Sequence, residues 1–89
     1  MPGTSKARRP GSALAKLRVD AELSSSAAAE NLEIGESNLS EIECGAVQAP
    51  TPLLANMARL YRTSPLLVVK AYLADRRMYS LSQEVLPRG

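Results

Sequence analysis

Apolar and polar positions divide the chain into five amphipathic segments separated by short polar or proline-bearing breaks. Leu14, Leu17 and Ala21 recur at spacings of three and four. That period places them on one face of a helix running from a Ser12 cap to about Glu22. Ser24 is a second N-cap, for a helix over Ser25 to Leu32 with Ala28, Ala29 and Leu32 turned inward. Glu33-Ile34-Gly35 makes a tight connection. A third helix then runs from about Glu36 to Cys44, burying Leu39 and Ile42 and stopping at Gly45. Thr51-Pro52 and Ser64-Pro65 repeat one grammar, a hydroxyl N-cap with proline at the first helical position. They open helices over Pro52–Tyr61 and Pro65–Tyr79. Abundant alanine with leucine favours short close-packed helices over a sheet, so the expected fold class is all-α. Residues 1–11 read as a disordered basic arm, 12–79 as the folded domain and 80–89 as a flexible tail.

The last helix holds more apolar side chains than one small core consumes. Leu66, Leu67, Val68, Val69, Tyr72, Leu73 and Met78 are all in it. Val69, Tyr72 and Leu73 are therefore the candidate dimer or partner surface. Lys70, Asp75, Arg76 and Arg77 read as a solvated face of the same helix.

The order of elements and the string LSSSAAAENLEIGESNLSEIECG, residues 23–45, resemble the phage-repressor family of Cro/cI-type or XRE-type helix-turn-helix domains. Ala29 stands at the small-residue position between the two helices, Ile34 at the turn hydrophobe, and Leu39 and Ile42 at the anchors of the recognition helix. The likeness continues through PTPLLANMARLYRTSP and covers residues 12–75. It implies a compact five-helix, lambda-repressor-like domain and a role in transcription control. It also implies that Arg18 pairs with Glu43 as a structural ion pair. Carried over position by position, the partner- or DNA-facing residues are Ser25, Glu36, Ser37, Asn38 and Glu41. Two positions depart from the family. Glu33 stands where glycine is common, and a left-handed backbone there costs a non-glycine residue about 1 kcal/mol. Gly35 replaces the usual Ser or Thr cap of the third helix, a loss of a few tenths of a kcal/mol by the ranking of caps.

Charge changes what this resemblance implies. No lysine or arginine lies between Arg18 and Arg59, whereas Asp20, Glu22, Glu30, Glu33, Glu36, Glu41 and Glu43 all do. Helix-turn-helix domains ordinarily meet phosphates with positive charge. Here Ser37 and Asn38 can hydrogen-bond a base edge and a glutamate can accept from cytosine N4, but two glutamates also approach the phosphates. The expected function is therefore a small regulator acting by protein contact through its acidic face, an antiactivator or co-regulator. Its partner would be another transcription regulator or a polymerase-associated protein. The alternatives are an operator-binding repressor on double-stranded DNA and an antitoxin-like binding module. Lys6, Arg8 and Arg9 form a candidate phosphate-contacting arm.

Other chemistry finds little footing. The chain has no histidine, no glycine-rich phosphate loop and one cysteine, Cys44, so no enzyme activity, cofactor or metal is expected. No apolar run reaches the ~18–20 residues that span a bilayer. The expected location is the cytoplasm.

Overall fold

The computed structural model describes residues 12–85. The basic arm and the last four residues of the tail lie outside that range. Five helices follow in order: α1 (Ala13–Asp20), α2 (Ser25–Leu32), α3 (Glu36–Glu43), α4 (Thr51–Leu60) and α5 (Pro65–Val85). No strand occurs among the described residues, so the fold is all-α. Leu14, Leu39, Ile42, Met57 and Val68 are fully enclosed and draw all the helices but α2 into the centre of one core. From α2, Ala28, Ala29 and Leu32 join them, and the two alanines let that short helix lie close to its neighbours.

Local chemistry explains the helix starts. The Ser12 and Ser24 hydroxyls accept from the N–H groups of Ala15 and Ala27, each at 3.0 Å. Gly35 precedes α3 with no side-chain cap, and Glu36 supplies negative charge to its first turn instead. At α5 the Ser64 hydroxyl accepts from Leu66 N–H at 3.1 Å. Helix α4 differs from the sequence expectation. It starts one residue early, with extended Pro50 at the N-cap and Thr51 already helical, so the Thr51 hydroxyl makes no cap. Pro50, fixed near φ −69°, accepts from Leu53 and Leu54 N–H through its own carbonyl.

One ending recurs four times. The N–H groups of Leu23, Ile34, Ala46 and Thr63 each reach back five residues, to the carbonyls of Arg18, Ala29, Glu41 and Ala58. This is the Schellman closure, and it requires a left-handed residue just before the returning N–H. Those residues are Glu22, Glu33, Gly45 and Arg62, with φ of 63°, 60°, 86° and 56°. Only one is glycine. It is also the one that could not be replaced cheaply: a Cβ on Gly45 would run into the backbone carbonyl of Asp75 and the Tyr79 side chain. The closure at Glu22 explains why α1 stops at Asp20 rather than continuing to Glu22.

Helix α5 packs on α1, α3 and α4 and corrects the sequence reading in four places. It extends to Val85 rather than Tyr79. Asp75 is buried, not solvated: its carboxylate accepts from the Ser12 hydroxyl (3.1 Å) and from the N–H groups of Ala13 (2.8 Å) and Leu14 (3.0 Å). It thus caps α1 from a helix more than 60 positions away. The next residue, Arg76, is half-buried and donates to the Gly45 carbonyl at 2.8 Å. Tyr72 is also a core residue, its hydroxyl accepting from Ala49 N–H at 3.0 Å.

Two substitutions test this packing. Leu39→Ala or Ile42→Ala should cost about 2–5 kcal/mol of stability, the range for deleting an enclosed aliphatic side chain, whereas Ser37→Ala on the exposed side of α3 should leave the melting curve unchanged. Equal effects would show that the faces of α3 are misassigned. Glu33→Gly should stabilise the fold by up to about 1 kcal/mol through relief of the left-handed backbone, and a destabilised variant would count against strain at that turn.

Candidate functional site

The face that the sequence singled out is built by the N-terminal ends of α2 and α3. Ser25 opens α2 and Glu36 opens α3, and the Ser25 hydroxyl donates to Glu36 Oε2 at 2.7 Å. That bond ties the two helices at their exposed ends. Glu36, Ser37, Asn38 and Glu41 are all exposed. At 100° per residue, Ser37 and Glu41 lie near the middle of the outward stripe, with Glu36 and Asn38 at its two edges. Two further residues share the middle of the stripe, Ser40 and Cys44, both exposed. They were legible from their spacing of three and seven after Ser37 but were not singled out. Cys44 is a free thiol whose Sγ lies 3.4 Å from the Glu41 carbonyl.

No cation lies on α2, on α3 or in the connection from α3 to α4. Of the bases that flank them in sequence, Arg59 is exposed on α4 beside Asn31 and Leu32 of α2. Lys16 pairs with Asp20 at 3.7 Å along α1. Arg62 lines a shallow recess between the α1–α2 and α4–α5 turns, together with Asp20, Glu22 and Asn31. Lys6, Arg8 and Arg9 of the arm fall outside the described residues.

Arg18 and Glu43 meet beneath this face. Arg18 Nε donates to Glu43 Oε2 at 2.7 Å and a terminal guanidinium nitrogen to Oε1 at 3.3 Å. The other terminal nitrogen donates to the Leu23 carbonyl at 3.0 Å, so the fork is satisfied on both sides. Both side chains are nearly withdrawn from solvent. The hydrogen bond to Glu43 raises the Arg18 guanidinium above its ordinary value, against an opposing pull from burial. The pair joins α1 to the C-terminal end of α3, and truncating either partner would strand a buried charge.

Tyr61 adds a group that the sequence did not flag. It is buried at the end of α4, and its hydroxyl has no hydrogen-bond partner. Burial, reinforced by the Glu43 carboxylate, pushes the phenol up from 10 to about 12. The folded chain therefore holds this proton more tightly than the unfolded chain does. The stabilisation linked to it is complete below pH 10 and is lost as the pH climbs from 10 to about 12. Tyr61→Phe should match the parent at pH 7, since no hydrogen bond is lost. In alkaline urea denaturation it should lose about 2 kcal/mol less than the parent over that interval. Parallel losses in the two proteins would contradict the assignment.

The candidate dimer residues of α5 separate. Tyr72 is in the core, Val69 packs half-buried against it, and Leu73 alone of the three is well exposed. Among the described residues no helix is long and apolar enough to cross a membrane. No group of metal-ligating side chains is gathered there either.

A family model described as a helix-turn-helix domain matches residues 11–69, from the residue before the Ser12 cap into the first turns of α5. No curated protein and no solved structure matches the chain. The matched span contains α2, the Glu33–Gly35 turn and α3 within a five-helix, strand-free arrangement. The chain belongs to the helix-turn-helix domain family.

Proposed function

We propose that this chain is a transcription regulator that acts by protein contact, its α2–α3 face docking on a basic surface of another regulator or of a polymerase-associated protein. The observation that supports this reading is the charge of the face: Glu36 and Glu41 are exposed on it, and no Lys or Arg lies on either helix or in the loop that follows. A helix in the major groove sits between two phosphate rails. A carboxylate about 4 Å from a phosphate costs on the order of 1 kcal/mol in water, and several times that once the interface is dried. Against a lysine- or arginine-rich protein surface the same carboxylates steer association and fix register. An antiactivator or co-regulator that covers the working surface of its partner is the mode of action that such a face serves.

The alternative, operator binding, draws on Ser37 and Asn38. Both are exposed on α3 and able to hydrogen-bond base edges. On that reading positive charge would have to come from Lys6, Arg8 and Arg9 and from α5.

Reversing the two acids separates the readings. Glu36→Lys forfeits the Ser25 hydrogen bond and a favourable dipole interaction, together about 1 kcal/mol, while Glu41→Lys should be silent in the fold. If the face docks on a basic protein, the double reversal should abolish capture of the cognate partner in a pull-down from the native host while the chain stays folded. If the face reads DNA, the reversal should instead raise nonspecific DNA affinity and scramble sequence preference. A folded double variant that keeps its partner would overturn the proposal.

A further inference from the structure

The recess between the α1–α2 and α4–α5 turns has an open volume of about 750 Å³, within the size range of small-molecule sites. Leu23, Leu60 and Tyr61 give it apolar surface, and its charges are ordered. Asp20 and Glu22 line it from the end of α1, and Arg62 from the end of α4. Past Asn31 and Leu60, which line both hollows, it continues into a smaller recess of about 240 Å³ that adds Arg59. The sign of charge therefore changes along the hollow, from two carboxylates to two guanidinium groups, all on exposed residues. Asp20 also pairs with Lys16, whereas Glu22 and Arg62 form no ion pair among the described residues. Their backbones are held in separate turns by the closures of α1 and α4, at φ of 63° and 56°. Opposite charges that line one hollow without meeting leave room for a molecule that carries both.

We infer that this hollow binds a small zwitterion of the amino-acid class, its ammonium held by Asp20 and Glu22, its carboxylate by Arg62, and its aliphatic body against Leu23 and Leu60. The fold sets the polarity. Helix α1 ends at Asp20, so the negative end of its dipole adds to the two carboxylates. Asn31 donates an amide N–H to the Ala27 carbonyl at 2.8 Å, which leaves its Oδ1 as a further acceptor for the ammonium. At the other end, the Arg62 guanidinium can take a carboxylate through two parallel N–H bonds. A ligand bearing only a cation would meet Arg62 with like charge, and one bearing only an anion would meet Glu22 in the same way. Both penalties favour the zwitterion over a simple amine or a simple carboxylate. Its occupant would join the entry to α2, at Leu23, to the end of α4, as an effector of the regulator. No candidate residue of the α2–α3 face lines the hollow, so the inference stands or falls independently of how that face is used.

Amide chemical-shift titration of the isotope-labelled full chain tests it with four probes. Norleucine and ε-aminocaproate carry an ammonium and a carboxylate at short and long separation, while pentylamine and pentanoate carry one charge each. At least one zwitterion should shift the amides of Glu22, Leu23, Asn31 and Arg62 and saturate in the millimolar range, as expected of about nine non-hydrogen atoms at an open site. It should bind tenfold or more tightly than either singly charged probe. Arg62→Gln should lower its affinity to that of pentylamine and Glu22→Gln should weaken it as well, while Ser37→Ala leaves it unchanged. Far-ultraviolet circular dichroism with a thermal melt confirms that each variant stays folded. If either recess variant fails to fold, the four probes on the parent still decide. No saturable shift at these amides with either zwitterion up to about 20 mM overturns the inference. So does a zwitterion that binds no more tightly than pentylamine or pentanoate, or one held undiminished by folded Arg62→Gln.

Discussion

The carboxylate of Asp75 is the point on which the arrangement of helices turns. It accepts three hydrogen bonds from Ser12, Ala13 and Leu14 and so satisfies donors that the first turn of α1 leaves orphaned. The backbone carbonyl of the same residue lies against Gly45, where only a hydrogen in place of Cβ fits. Arg76 then donates to the Gly45 carbonyl. One turn of α5 therefore locks the start of α1 and the end of α3 at once. The Arg18–Glu43 pair closes the loop by tying α1 to α3 directly. With its C-terminal end clamped from two directions, α3 can present an outward face carrying few interactions of its own. That is the structural requirement for a surface free to specialise in charge.

The strain in the turns has the same logic. Left-handed Glu22, Glu33 and Arg62 each sit where glycine would relax the backbone. They are tolerated because the closing hydrogen bond reaches a carbonyl five residues back and the residue after the turn packs on the core, as Leu23 and Ile34 do. Gly45 is different. Its requirement is space as well as dihedral freedom, which is why glycine occurs at this one closure of the four.

Much of this was legible locally. The bounds of α2, the caps at Ser12, Ser24 and Ser64, and the inward set Leu39 and Ile42 follow from three- and four-residue spacing and hydroxyl caps, signals that act within one turn. What was not legible depends on partners distant in the chain. Asp75 looked solvated because it sits among Lys70, Arg76 and Arg77, and nothing nearby in sequence shows that it caps α1. Tyr72 looked available as surface because its hydroxyl partner, Ala49, lies 23 positions away. Thr51-Pro52 misled by one residue because Pro50 is equally suited to the extended N-cap conformation. Helix α5 outran its expected end because Ser80 to Glu84 contain neither glycine nor proline, and the first residue barred from a helix interior is Pro87. At the candidate site the residue types and their exposure were readable, while the Ser25–Glu36 bond needed both helices in place.

The proposed action by protein contact rests on electrostatics, since exposed Glu36 and Glu41 on α3 would meet phosphate with like charge. Its most direct measurement is the salt dependence of binding to the chain's own promoter fragment. The observed constant falls with a slope of about 0.9 per phosphate neutralised on a logarithmic plot. A chain that acts by protein contact should show at most weak binding without sequence preference, with a slope of about 3 or less that vanishes when Lys6, Arg8 and Arg9 are removed. Sequence-selective binding with a slope of about 5 or more, retained without those three residues, would contradict it.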